Sequence, residues 1–434
     1  MKIRQILCFL ACLLLIGLAG QGTALAEEAV DYAASIELNM ASETRKLEVT
    51  VKTFVDGDTT HFHVPESVLP TGVLKARYLA VNTPEVTGKV EEWGKKASEF
   101  TREKLSQADS IIIESDDAAW NPDSTSERYL VWVWYRPQGE SRYRNLNIEL
   151  LQNGLAIANS SANNRYGSVC MAAISQAKEK KLHVYSKQKD PDFYYGDALE
   201  LTIRELRTNP EAYNGMKVAF KGVITMNHAN AVYIEDYDAE SGLYYGMSVY
   251  YGYGLTGKGL DVLKVGNESR IVGTLQYYEA GGTWQVSGLS YRLMKPKDPG
   301  NIQLLSSGHA PAYTLTSPEL FAKGQVELAG EEGTQVFDYA ALAVGTSVEM
   351  KNLQVQQVYT TLDEDSSSYG AMTLTCQADG QTIQVRTAVL TDESGHRITE
   401  DFFLGKTIDV RGIVDFYEGA HQIKVFTLSG VSIH

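Results

Sequence analysis

The sequence predicts a mainly β fold with some α, arranged as three globular blocks of which the last two are copies of one small five-stranded barrel. Three observations carry this. The chain has 434 residues, enough for roughly three domains at about 150 residues each. The second and third blocks repeat each other along several strands. Within each copy, apolar and polar residues alternate in short runs bounded by turn residues, the period of a half-buried strand.

The repeat is read directly. Ile271 to Glu279 (IVGTLQYYE) aligns with Val410 to Glu418 (VRGIVDFYE). The frame continues with Trp284-Gln285-Val286 on Ile423-Lys424-Val425, and Gly215 to Val218 falls on Gly345 to Val348. Such agreement argues for one fold used twice. In the second block strands are expected near Met216–Thr225, Ala231–Glu235, Gly246–Tyr251, Ser269–Tyr278 and Thr283–Leu289. A helical segment, Leu260 to Val265, precedes the fourth. Five strands with a helix between the third and fourth is the order of an OB-fold barrel. Gly273 and Gly412 sit in mid-strand, where a bulge or sharp coil is expected. Glu279-Ala280-Gly281-Gly282 and its counterpart, Glu418-Gly419-Ala420-His421, read as hairpin turns.

The composition is globular, with 44% hydrophobic residues and 10% aromatics. The formal charge is −15, from 39 basic and 54 acidic residues. That sign excludes nucleic-acid binding by bulk charge and restricts any such activity to a local site or a bound cation. The acidity is uneven. From Asp190 to His434 there are 17 basic and 31 acidic residues, a charge of −14, whereas Lys46 to Lys189 holds 19 and 18, or +1.

The first residues read as an export signal. Lys2 and Arg4 precede an apolar run from Ile6 to about Leu18, and Ala24-Leu25-Ala26 is a small-residue cleavage site. Cutting after Ala26 gives a secreted, extracellular chain with no transmembrane segment; Cys8 and Cys12 lie inside the run, so no lipid anchor is expected. Cys170 and Cys376 fall in separate blocks and are expected as free thiols. The expected organisation is a signal at 1–26, a linker at 27–45, a first domain at 46–188, and two barrel repeats at 198–295 and 315–434.

The first block carries the chemistry. An alternating segment from Val51 to Val64 is interrupted by Asp56-Gly57-Asp58-Thr59, which alone reads as a hairpin with two solvated carboxylates. Next comes a strand, Lys75 to Val81, with Arg77 among apolar neighbours, running into Asn82-Thr83-Pro84-Glu85. A helix then begins at Trp93-Gly94, with Trp93, Ala97 and Phe100 at core spacing. Arg128 stands at the entry of another strand, Tyr129 to Trp134. Individually, Arg77 and Arg128 could be surface arginines paired with carboxylates, and Glu85 could simply open a turn.

In this order the pieces resemble the staphylococcal nuclease (thermonuclease) family. Asn147 to Ala156, with its glycine stop at Gly154, is similar to that family's second helix, and Ala173 to Leu182 to its last. The resemblance spans about Lys46 to Lys187. It implies an OB barrel with three helices and a phosphodiesterase using Ca²⁺. By resemblance, Asp58, the Asn82 side chain and the Thr83 carbonyl hold the cation, Glu85 orients or deprotonates the attacking water, and Arg77 and Arg128 grip the phosphate. Asp56 is assigned to the turn or the outer shell. In-line attack would leave 3′-phosphate ends. The residue types suit the task, because attack at an anionic phosphorus needs charge neutralisation by a hard cation or planar guanidinium forks.

The departures are specific. Asn82 stands where the family has Asp, and Ser126-Glu127 replaces Tyr-Gly before Arg128. The stretch Asn159 to Asn164 lacks the family's nucleotide-flanking tyrosines. A catalytically weakened nuclease-like adaptor for nucleic acid or protein is therefore the alternative reading. DNA is the expected substrate, with RNA left open, and the acidic repeats are expected to make protein or cell-surface contacts.

Overall fold

A computed structural model of the protein describes residues 29–434 apart from 87–88, 126–127, 280, 331–332, 363–365, 367 and 418. The expected export signal and its cleavage site lie outside the described residues, as do Glu127, Ala280 and Glu418. Among the described residues no helix is long and apolar enough to cross a membrane.

Three five-stranded barrels share one pairing order. The first uses β1 (Lys46–Phe54), β2 (Thr59–His63), β3 (Val73–Tyr78), β4 (Ala108–Glu114) and β5 (Tyr129–Pro137). β1 pairs with β2 and β4, β2 with β3, and β4 with β5, all antiparallel; the parallel β3–β5 pairing closes the barrel. α1 (Gly94–Ser106) links β3 to β4, and α2 (Leu146–Gln152) and α3 (Gly167–Glu179) follow β5. β5 is an unbroken apolar run because both its faces are covered. Trp132 and Trp134 lie on one face and Val131 and Val133 on the other, all fully buried. The buried stripe of α1 is Gly94, Ala97, Thr101 and Leu105; Trp93 and Phe100, expected in the core, are half-buried beside it.

The second barrel comprises β6 (Lys217–His228), β7 (Ala231–Asp238), β8 (Leu243–Tyr250), β9 (Asn267–Tyr278) and β10 (Thr283–Ser287), with α4 (Ile203–Thr208) before it and α5 (Lys258–Val262) between β8 and β9. The third comprises β11 (Ser347–Thr360), β12 (Met372–Ala378), β13 (Gln381–Thr387), β14 (Thr407–Tyr417) and β15 (Ala420–Val425). Each closes through a parallel pair, β8–β10 and β13–β15. Both copies kink their first strand at matching places, between Ile224 and Met226 and between Val355 and Gln357. The mid-strand glycines serve close approach instead of a bulge. A Cβ on Gly273 or Gly412 would lie 2.5 Å from the Ser287 or Lys424 carbonyl oxygen.

The segments without a sequence period are packed, not loose. Ala33 is fully buried in the first core, its N–H donates to Gln152 Oε1 at 3.0 Å, and Asp31 pairs with Arg144 at 2.8 Å. Gln303–Ser307, in the proline-bearing stretch, adds a strand to β9. These stretches lack periodicity because they are turns and edge pairings, which leave no repeating apolar face.

The second and third barrels are locked together. Arg207, half-buried, donates to the Gly246 carbonyl at 2.6 Å and to the Val344 carbonyl at 2.7 Å. The Glu235 carboxylate accepts from the Ala312 N–H at 2.8 Å and the Ser347 N–H at 2.7 Å. Tyr233, Ile413 and Phe426 form a shared apolar cluster. Gly246 lies so close to Gly345 and Thr346 that a Cβ would overlap their backbone. Gly246→Ala should therefore lower the unfolding free energy by about 1–3 kcal/mol, read in denaturant, because neither backbone can yield without moving its barrel.

Candidate active site

The site forms where β2, β3 and the start of α1 meet. Asp56-Gly57-Asp58 turns the chain between β1 and β2. The Asp56 carboxylate accepts from the Asp58 N–H at 3.1 Å, the side-chain turn for which Asp is suited. The Thr101 hydroxyl of α1 donates to the Gly57 carbonyl at 2.6 Å and fixes the turn to the helix. Asp56 and Asp58 are both buried, at 7% and 4% exposure, so the sequence picture of two solvated carboxylates does not apply.

Strand register brings the rest together. Thr59 pairs with Arg77 across β2 and β3. The Arg77 guanidinium forms an ion pair with the Asp58 carboxylate, and its other arm donates to Asn82 Oδ1 at 2.7 Å. The Thr83 N–H donates to Asp58 Oδ2 at 2.7 Å. Asp58, Arg77, Asn82 and Thr83 thus form one connected set.

Glu85 follows on an exposed loop closed by reciprocal bonds. Its N–H donates to the Glu91 carboxylate at 3.3 Å, and its carbonyl accepts from the Glu91 N–H at 2.9 Å. A Cβ on Gly94 would lie 2.5 Å from the Glu85 carbonyl oxygen, so the helix can begin this close to the loop only with glycine there. Trp93, in a left-handed conformation, donates its N–H to the buried Asp190 carboxylate at 2.6 Å. The stretch after the first domain therefore also braces this loop.

Arg128 enters on the strand beside Arg77, since Arg77 aligns with Leu130 in the parallel β3–β5 pair. Its Nε and Nη2 both reach Asp123 Oδ2 at 2.7 Å. Asp123 is thus the carboxylate that Arg128 holds; the neighbouring Glu127 lies outside the described residues. Asn147 joins the two arginine-bearing strands from α2. It donates to the Leu79 carbonyl at 2.9 Å and the Val131 carbonyl at 3.0 Å, and accepts from the Val133 N–H at 2.8 Å.

Crowded carboxylates set the electrostatics. Burial, then the charges of Asp58 and Glu85, push Asp56 up to about 7. Glu85 is also raised, by partial desolvation and the Asp58 charge, with Arg77 and Arg128 opposing. Both guanidinium groups are thus close enough to act on Glu85.

Among the described residues no three His, Cys, Asp or Glu side chains gather as a metal-binding group. The expected cation donors are different in kind: one carboxylate (Asp58), one amide oxygen (Asn82) and the Thr83 backbone carbonyl. All are oxygens, as a hard cation requires, and the repulsion recorded at Asp56 and Glu85 is what a positive charge there would relieve. The donor set fits a hard divalent ion, in competition with Arg77, which now bridges Asp58 and Asn82.

Sequence reasoning missed Asp123, Asn147 and Asp190. A buried Asn at the start of an apolar helix was the available signal for Asn147; Asp123 and Asp190 sit in loops where no pattern marks them. The search of curated proteins returned no match to the chain. Residues 75–187 match the family model described as Staphylococcal nuclease homologue. That span includes Arg77, Asn82, Thr83, Glu85 and Arg128, and begins inside β3, so the Asp56–Asp58 turn joins the site through the barrel. The chain carries a staphylococcal-nuclease-type domain over residues 75–187.

Proposed function

We propose that this protein is an exported nuclease that hydrolyses the phosphodiester bonds of DNA with the help of Ca²⁺. The observation that carries the reading is the connected set of Asp58, Arg77, Asn82 and Thr83, with Glu85 under the charges of both Arg77 and Arg128. Glu85, raised from its ordinary value by desolvation and the Asp58 charge, is the carboxylate suited to take a proton from an attacking water. Arg77 and Arg128 hold the non-bridging phosphate oxygens and stabilise the charge that builds at phosphorus. Each guanidinium carries five N–H donors, so it can keep a carboxylate on one edge and take a phosphate on another. Asp58, Asn82 and Thr83 would hold the cation, which supplies charge neutralisation at the phosphate when bound. Attack in line with the 5′-oxygen leaves a 3′-phosphate end. Export rests on the Ala24-Leu25-Ala26 pattern, and the acidic repeats are assigned to protein or cell-surface contacts.

The test is cleavage of supercoiled and single-stranded DNA, and of RNA, by the full chain in Ca²⁺ and in chelator. Cleavage that requires Ca²⁺ supports the reading. Binding without cleavage in any divalent ion would replace it with the adaptor. In the same assay Asn82→Asp should lower the Ca²⁺ concentration for half-maximal rate by about tenfold, since one added negative ligand strengthens a hard-cation site.

A further inference from the structure

The second barrel reaches the loop that carries Glu85. Gln276 lies on β9 next to Leu275, which is fully buried in the second core, so Gln276 points outward. Its amide Nε2 donates to the carbonyl of Val86, the residue directly after Glu85. Its Oε1 accepts from the Ser287 hydroxyl at 2.5 Å, which fixes the amide's orientation. Beyond β9, Glu279 pairs with Arg102 of α1 at 2.5 Å, and Arg102 lies over the Phe54 ring at 4.6 Å. The pair is exposed and adds little strength alone, but it sets where the hairpin sits. At the tip, a Cβ on Gly282 would lie 3.4 Å from the Phe416 ring of the third barrel. The β9–β10 hairpin is therefore wedged between the first and third barrels.

The repeat supplies a comparison within the chain. Gln276 falls on Asp415, which accepts from the Gln422 amide at 3.2 Å. An ionised carboxylate cannot donate to a carbonyl. Of the two copies, the one that faces the Glu85 loop has the side chain able to hold it.

We infer that the β9–β10 hairpin is a positioning element for the nuclease site, with Gln276, held by Ser287, fixing the Glu85 loop through Val86. This rests on the nuclease reading for its consequence, but not for the contact itself. Within the first domain and the stretch after it, the loop is held by Glu91, by the packing of Gly94 and by Asp190. The hairpin acts on the carbonyl of Val86, the residue directly after Glu85. Misplacing a general base by a fraction of its hydrogen-bond reach lowers the rate without removing any group that touches substrate.

Full-length Gln276→Ala, Glu279→Arg, and the reversed pair Arg102→Glu with Glu279→Arg separate the possibilities. Hydrogen exchange of the 84–92 segment, measured without substrate, should quicken roughly tenfold in Gln276→Ala while residues 46–54 keep their protection. In a cleaving protein kcat should fall about tenfold, with KM changed less. The reversed pair should recover what Glu279→Arg alone loses. Unchanged exchange at 84–92 in Gln276→Ala overturns the inference. Faster exchange with unchanged kcat overturns the positioning role. A wild-type chain that never cleaves refutes the nuclease reading instead, and the exchange measurement still decides whether the hairpin holds the loop.

Discussion

On the proposed nuclease reading, Glu85→Gln should cleave DNA roughly a thousandfold more slowly than the parent chain at saturating substrate, the loss expected when a general base is replaced by a group that cannot take a proton. KM should change little, because the proposal gives the grip on phosphate to the arginines and not to Glu85. The parent rate should climb with pH through the Glu85 titration, and that limb should be displaced upward from the ordinary glutamate value because desolvation and Asp58 raise it. The variant should lose the limb. Arg77→Lys is the companion experiment. A lysine keeps a charge for Asp58 but cannot span Asp58 and Asn82 while also presenting a planar edge to phosphate, so its rate should fall by about two orders of magnitude. Full activity in both variants, measured as initial rates on a labelled oligonucleotide, would sink the site assignment.

Asp56→Asn should stabilise the metal-free protein at alkaline pH. Asp56 titrates near 7 in the folded chain against 3.8 as its reference value. The folded state therefore holds a proton there that the unfolded chain has released, and ionising the group costs folding free energy as pH rises through that window. The cost is absent below about pH 4, grows to about pH 7 and is constant above it. A shift of this size corresponds to about 4 kcal/mol, and coupling to Asp58 and Glu85 reduces the expected gain to roughly 2 kcal/mol. Asn keeps the oxygen that caps the Asp58 N–H, so the turn is preserved. Denaturant unfolding in chelator should show no difference between the two proteins near pH 4 and the full difference above pH 7. Added Ca²⁺ should shrink the gap. An equal gain at both pH values would assign the effect to the turn and not to the charge.

Much of the fold could be read before the structure. Alternation located the strands of the second block, and the internal match reached the first, fourth and fifth strands of the third, because a half-buried strand writes its two faces into the sequence one residue at a time. The matched glycines were visible too, although their reason was not. What Gly273 avoids is a carbonyl on the neighbouring strand, and a single strand carries no trace of its neighbour. At the site, Asp58, Arg77, Asn82 and Thr83 were expected from family order, and the strand register explains why residues so far apart meet. The partners that tune them were less legible. Asp123, Asp190 and Gln276 act on the site from loops and from another barrel. Their identity follows from tertiary contact, which leaves no local period to read.

The third unit is not self-contained. After α6 (Pro318–Lys323) it inserts a hairpin, Gln325–Gly330 with Gly333–Asp338, followed by α7 (Tyr339–Ala343). From this excursion Leu328 and Leu342 pack into the core of the second barrel, and Arg204 of that barrel donates to the Ala329 carbonyl at 3.3 Å. A ribosome making this chain thus delivers the second barrel with part of its apolar lining still unsynthesised. The nascent barrel must wait, partly open, for a segment that belongs by position to the next unit, and any cut between the two strips a wall from the first as surely as it removes the second.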